Sequence, residues 1–235
     1  MNPQPQSAAE IIEVPAGLSE ADPFGAEAKC EAARRIRLEK ACIPWRFAEA
    51  DFASFECPTP EHGEMRDIVQ RYAQRALTID GRRGQNGLLL TGPAGSGKTH
   101  LAIAALRQIV QGGENFKRIG LYLSLPDLLA RIRESYGDKE AASEGQLLGD
   151  AIQTRLVVLD DVGADRVTDW ALEKLYLILN ARYERATPTI LTTNLNYPGE
   201  FEAWVGERLA SRAYEMCLVV EGPRLDWRRR TQGGG

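Results

Sequence analysis

Hydrophobic residues along this chain follow two alternating rhythms. Short, nearly unbroken apolar runs at 87–91, 119–124, 156–161, 189–194 and 218–220 read as buried strands. Between them, apolar positions recur every three or four residues, the spacing of a helix with one buried face. This predicts helices over 98–111, from Pro126 through Leu128, Leu129, Ile132 and Tyr136, and around Leu147, Leu148 and Ile152. It also predicts helices over 168–185, with Leu172, Leu175, Tyr176, Leu179 and Tyr183 facing the core, and over 200–215. A further helix, with Met65, Ile68, Val69, Tyr72 and Leu77, precedes the first strand and is broken at 81–84. The alternation predicts an α/β fold: a parallel five-stranded sheet flanked by helices, with right-handed crossovers and ligands at the carboxyl ends of the strands.

Residues 1–25 mix Pro, Gln and Ala without periodicity, so a mobile tail is expected. Residues 26–41 are helix-prone and carry Arg34, Arg35, Arg37 and Lys40, either as a solvated helix or as an arm that contacts a partner or nucleic acid; Pro44 closes it. Ile43, Trp45, Phe47, Phe52 and Phe55 follow in an irregular stretch, expected to strap across the core. The chain thus divides into a tail with a basic, partner-binding arm over 1–42 and a folded domain over 43–235.

Composition narrows the function classes. A net charge of −4 over 235 residues, with a pI near 5.4, argues against coating nucleic acid by bulk charge and leaves only a local basic strip. No apolar run reaches the roughly 18 to 20 residues of a membrane span. The start lacks a basic-then-apolar leader, so a cytoplasmic protein without a membrane partner is expected. Cys30, Cys42, Cys57 and Cys217 show neither CxxC pairing nor histidines at ligand spacing, which points to reduced thiols. The isolated His62 and His100 carry no assigned catalytic task.

The chemistry concentrates at strand tips. Gly92-Pro93-Ala94-Gly95-Ser96-Gly97-Lys98-Thr99 lies between the first strand and a helix, where backbone N–H groups can cradle the phosphates of ATP. Lys98 then meets the β- and γ-phosphates, and the Thr99 hydroxyl ligates Mg2+. Downstream, the third strand delivers Asp160 to hold the magnesium ion and Asp161 to orient or activate an attacking water, or, alternatively, to cap a loop. Asn194 falls at the tip of the fourth strand, on the same edge.

A strand between the loop and the aspartates is the additional-strand ATPase arrangement. Together with GPAGSGKTHLA (92–102), SLPDLLARIRESY (124–136), LVVLDDVGA (156–164), LNARYERATPTILTTNL (179–195), GERLASR (206–212) and DWRR (226–229), the chain resembles AAA+ ATPases of the DnaC family, the replicative helicase loaders. It is also similar to the related IstB transposition helpers. The resemblance covers 43–230 and implies a P-loop ATPase domain with a minimal or absent helical lid. It implies a replication helper that hydrolyses ATP and loads a hexameric replicative helicase onto single-stranded DNA; the alternative is a helper that presents target DNA to a transposase. Hydrolysis would be slow and stimulated by assembly or DNA, within an ATP-dependent homo-oligomer.

Residue by residue, the resemblance makes Asn194 sensor I, contacting the γ-phosphate or the attacking water. Arg212 becomes the arginine finger for a neighbouring subunit, with Arg208 the second candidate, and Arg229 becomes sensor II. Arg131, Arg133 and Tyr136 fall where such proteins present a single-strand-binding element. Relatives often carry Glu where Asp161 stands, a carboxylate one methylene longer. Structural alternatives are a turn for Asn194, a Glu215 salt bridge for Arg212 and core packing for Tyr136. A small-metabolite phosphotransferase, against which GERLASR and DWRR argue, and a non-hydrolysing adaptor are the competing classes.

Overall fold

The computed structural model describes residues 23–76, 86–112, 120–137, 141–164 and 168–226. Five strands, β1 (Gly87–Thr91), β2 (Gly120–Ser124), β3 (Leu156–Val162), β4 (Thr189–Thr193) and β5 (Cys217–Glu221), form one parallel sheet in the order β2-β3-β4-β1-β5. β1 and β4 are buried at every position, as strands covered on both faces must be. Alternation sorts their side chains: Leu88 and Leu90 join one core with α1 (Pro23–Lys40), α2 (Pro60–Ala76) and α3 (Lys98–Gly112). Leu89 and Leu191 join the other, with α4 (Leu125–Ser135), α5 (Glu144–Gln153), α6 (Asp169–Glu184), α7 (Gly199–Val205) and α8 (Glu207–Met216).

The element sequence is the expected one, with three local differences. The helix expected over 200–215 is two, α7 and α8, because Gly206 at φ +81° cannot continue a right-handed helix. The buried face of α6 runs through Ala171, Lys174, Leu175, Ile178, Leu179 and Arg182; Leu172, Tyr176 and Tyr183 flank it, half-buried. In the strap, Phe55 is buried and Ile43, Phe47 and Phe52 pack against the core, but Trp45, in a single 3-10 turn, is 84% exposed. The break expected at 81–84, and Leu77 and Ile119, lie outside the described residues, as do residues 1–22 of the tail expected over 1–25, whose last three residues open α1.

The basic helix α1 meets the domain at its C-terminal end. Arg37 is buried and donates from Nε to the Val110 carbonyl at 3.1 Å, and the Ala41 carbonyl accepts from the Tyr122 N–H at 2.8 Å. Arg34, Arg35 and Lys40 remain exposed.

β3 carries the irregularity that shapes the site. Leu159 pairs with Leu191 and Val162 with Thr193, so two residues of β3 oppose one of β4. This is a bulge, and Asp161 sits in it at φ +57°, a left-handed conformation that aspartate tolerates better than most residues. In a regular strand adjacent side chains point to opposite faces; the bulge interrupts that alternation between Asp160 and Asp161.

Candidate functional site

Residues 92–97 form a glycine-rich turn that ends at the N-terminus of α3. Gly97, at φ +87°, could not carry a side chain: a Cβ there would collide with the Phe55 ring. Gly95, at φ +80°, is similarly closed by the Asp226 side chain. Lys98 is buried, with its ammonium turned back onto the loop, donating to the carbonyls of Gly92 and Pro93 at 2.8 Å each and to Ser96 Oγ at 3.3 Å.

Asp160 is 2% exposed and accepts from three hydroxyls. Thr99 donates to Oδ1 and Oδ2 at 3.0 and 3.2 Å, Tyr122 to Oδ2 at 2.7 Å and Thr192 to Oδ1 at 2.5 Å. Charge-assisted bonds of this kind offset the desolvation of the buried carboxylate. Burial, followed by the Asp160 charge, pushes the Tyr122 phenol up, so it stays protonated as a donor. Thr192 also accepts from the Asp161 N–H at 3.0 Å, which pins the bulge. Thr99 and Asp160, adjacent hard oxygen donors at the phosphate loop, fit a magnesium ion.

A cavity of about 390 Å³ opens along this edge, lined by Ala94 to His100, Asp161, Ala164 and Asn194. Asn194 is exposed, and the local turn is made instead by the Leu195 N–H donating to Thr193 Oγ1 at 3.1 Å. The far wall comes from the strap and α2: Arg46, Phe47, Phe55, Glu56 and His62. His100 clips that wall to α3, its Nε2 lying 2.9 Å from the Asp51 carbonyl and its ring edge-on to Phe55 at 5.3 Å. Ser54 caps the same turn with reciprocal bonds to Asp51, and these hold the Asp51 carboxyl below its usual value. The strap's aromatic residues were legible in the sequence as packing groups; that they build a cavity wall was not. Tyr122 and Thr192 carried no signal beyond β-propensity.

Arg208 and Arg212 are not among the residues that line the cavity. Arg212, half-buried on α8, places its guanidinium 5.1 Å from the Tyr176 ring centroid and 5.8 Å from that of Tyr183; exposed Arg208 lies 5.8 Å from Tyr176. Glu215 accepts from the Tyr183 hydroxyl at 2.7 Å, which raises that phenol's pKa. On α4, Arg133 stacks 4.6 Å over Trp170. Tyr136 is 60% exposed and so is no core residue; its hydroxyl donates to Glu144 at 2.6 Å, and Glu144 pairs with Lys174 at 2.8 Å. Arg229 lies outside the described residues. No helix among the described residues is long and apolar enough to cross a membrane.

A phosphate loop on β1, an aspartate pair on β3 and an intervening β4 define a P-loop protein of the additional-strand AAA+ class. Within that class, residues 32–218 match the family described as IstB-like ATP binding protein, and the chain belongs to it. The insertion sequence IS21 protein of Pseudomonas aeruginosa, described as ATP-binding, is 31% identical over 184 residues, 77% of this chain and 63% of that one. The replicative helicase loader DnaC of Escherichia coli K12 is 27% identical over 124 residues, 53% of this chain and 48% of that one. The chain spans about half to two thirds of the length of the curated relatives it matches. A crystal structure of the DnaC helicase loader shares the fold, with a TM-score of 0.64 at 24% identity, covering 77% of this chain and 100% of that one.

Proposed function

We propose that this chain is an ATP-driven assembly switch that loads a hexameric replicative helicase onto single-stranded DNA, hydrolysing ATP to ADP and phosphate. The observation that carries the reading is that Arg208 and Arg212 do not line the chain's own cavity and sit on a helix whose arginines suit the nucleotide of a neighbouring copy. The phosphates lie against the loop and the α3 N-terminus, and Lys98 exchanges its two carbonyls for phosphate oxygens. Thr99 and Asp160 would hold a magnesium ion, which would supply positive charge against the phosphates.

Asp161 orients a water for attack on the γ-phosphorus and takes its proton as the new P–O bond forms. The bond to the bridging oxygen breaks, and ADP leaves with the electron pair. Asn194 holds the water or the γ-phosphate, and Arg229 reaches the same phosphate from within the subunit. Arg212 of the next subunit answers the developing charge; such fingers contribute about 10³ to 10⁵ in rate, so an isolated subunit is slow. The α4 surface, with Arg131, Arg133 and exposed Tyr136, supplies cations and a stacking ring for single-stranded DNA.

Arg212→Ala is expected to keep ATP binding and lose roughly 10³-fold or more of the DNA- or concentration-stimulated phosphate release. Unchanged turnover would remove Arg212 from the mechanism. A transposition helper is the second reading, favoured by the IstB-like family match and the higher identity to the IS21 protein. ATP-dependent co-purification with a hexameric helicase or with a transposase separates the two.

A further inference from the structure

Trp45 is the most exposed large apolar side chain among the described residues. It opens the 3-10 turn Trp45–Phe47, and the two residues after it, Arg46 and Phe47, line the cavity at the phosphate loop. No residue of that turn is buried, so the indole contributes little to the fold that holds it. Tryptophan left in water beside a ligand site is the side chain that dominates interfaces once a partner covers it.

A matching recess exists elsewhere on the same chain. An open groove of about 440 Å³ is lined by Leu172, Glu173 and Tyr176 of α6 and by residues 205–209, where α7 gives way to α8. The chain turns there at Gly206, φ +81°, and no side chain fills the space beside it: an added Cβ would meet nothing within 4 Å. The lining is largely apolar, with the Tyr176 ring among it. Arg208 and Arg212 lie 5.8 and 5.1 Å from the centroid of that ring, so the groove borders both arginines.

We propose that this groove receives Trp45 of a neighbouring copy of the chain. The inference rests on the reading that Arg212 serves the neighbour's nucleotide. If Arg212 of one copy reaches the other's cavity, the groove beside Arg212 comes to face the strap beside that cavity, and Trp45 is the apolar group the strap presents. An indole in the groove lies against Tyr176 and near the Arg208 guanidinium, and tryptophan is the strongest aromatic partner for a cation. The rims match in sign as well. Exposed Arg46 and Glu49 follow Trp45 in the strap, while exposed Glu173, Glu207 and Arg208 border the groove, so each charge has an opposite to meet, which fixes register. Because knob and groove are different surfaces of one chain, the contact is head-to-tail, and each added copy leaves one of each for the next.

The test is sedimentation velocity of the full chain with Mg2+ and AMPPCP, a non-hydrolysable ATP analogue. Wild type should assemble as its concentration rises. Trp45→Ala removes an exposed side chain, so its urea-unfolding midpoint should match wild type, yet it should need a concentration about 30-fold higher or more to assemble, the loss expected for a tryptophan buried at an interface. Leu172→Trp, which fills the groove from its own side, should assemble as poorly. Mixed, the two variants retain one intact pairing, Trp45 of the Leu172→Trp protein in the groove of the Trp45→Ala protein, so dimers should form and grow no further. A Trp45→Ala protein that assembles at the wild-type concentration overturns the inference, even if Leu172→Trp misfolds, and assigns the groove to another partner; the Arg212 reading then stands, because wild type assembles. A mixture of the two folded variants that stays monomeric also overturns it. If wild type itself stays monomeric with the analogue bound, the Arg212 reading and this one fall together.

Discussion

The two ends of the sheet use similar groups for opposite purposes. At the carboxyl ends of β1, β3 and β4, Lys98, Thr99 and Asp160 bond one another or the loop through contacts that a nucleotide and its cation can take over. At the amino ends of β3 and β4, Arg182 is fully buried and its guanidinium is spent on fixed partners. It donates to Thr189 Oγ1 at 2.8 Å and to the carbonyls of Ala151, Thr154 and Pro188 at 2.9, 2.8 and 2.5 Å, with longer bonds to Ile152 and Arg155. Burial pulls its pKa down to about 10, so it remains charged at neutral pH. The lesson is that a buried cation closed on backbone carbonyls staples chain segments, whereas one resting on a phosphate loop is held in reserve. An open α/β sheet places ligands at one end, and the other is free to specialise in stability.

Substitutions at each end should separate stability from binding. Arg182→Leu leaves several carbonyls unmatched and should cost about 3 to 5 kcal/mol in urea unfolding, with ATP affinity per folded molecule unchanged. Loss of ATP binding at full stability would contradict the division. Lys98→Ala should show the reverse: ATP affinity falls by about 100-fold, or roughly 2.7 kcal/mol, in isothermal titration, while the unfolding free energy moves by no more than about 1 kcal/mol. The smallest effect is expected for Tyr122→Phe, which removes one of three donors to Asp160. It should destabilise by about 1 to 2 kcal/mol and lower magnesium-dependent nucleotide affinity only modestly. A loss as large as that of Arg182→Leu would place the Asp160 cluster among the staples.

The functional end was the more legible of the two. The loop, the aspartates and Asn194 announce themselves because phosphate chemistry demands particular residue types at fixed local spacing, and the five apolar runs mark the strands without tertiary information. Arg182 reads in sequence as an ordinary charge in Ala181-Arg182-Tyr183-Glu184-Arg185, because its carbonyl partners come from 151–155 and 188, segments that only folding brings together. The bulge at Asp161 was hidden as well, since a two-against-one pairing depends on a strand whose residues lie 31 positions further along the chain and leaves no mark on the apolar pattern of β3.

The strand order has a metrical consequence. Because β4 lies between β1 and β3, the phosphate loop and Asp160 spring from strands two inter-strand spacings apart, about 9.5 Å, a length maintained by backbone hydrogen bonds. The sheet thus acts as a fixed gauge for the nucleotide, with Thr192 as its middle graduation. Differences between bound and empty states must then be expressed in side chains and flanking helices, where a neighbouring molecule can feel them.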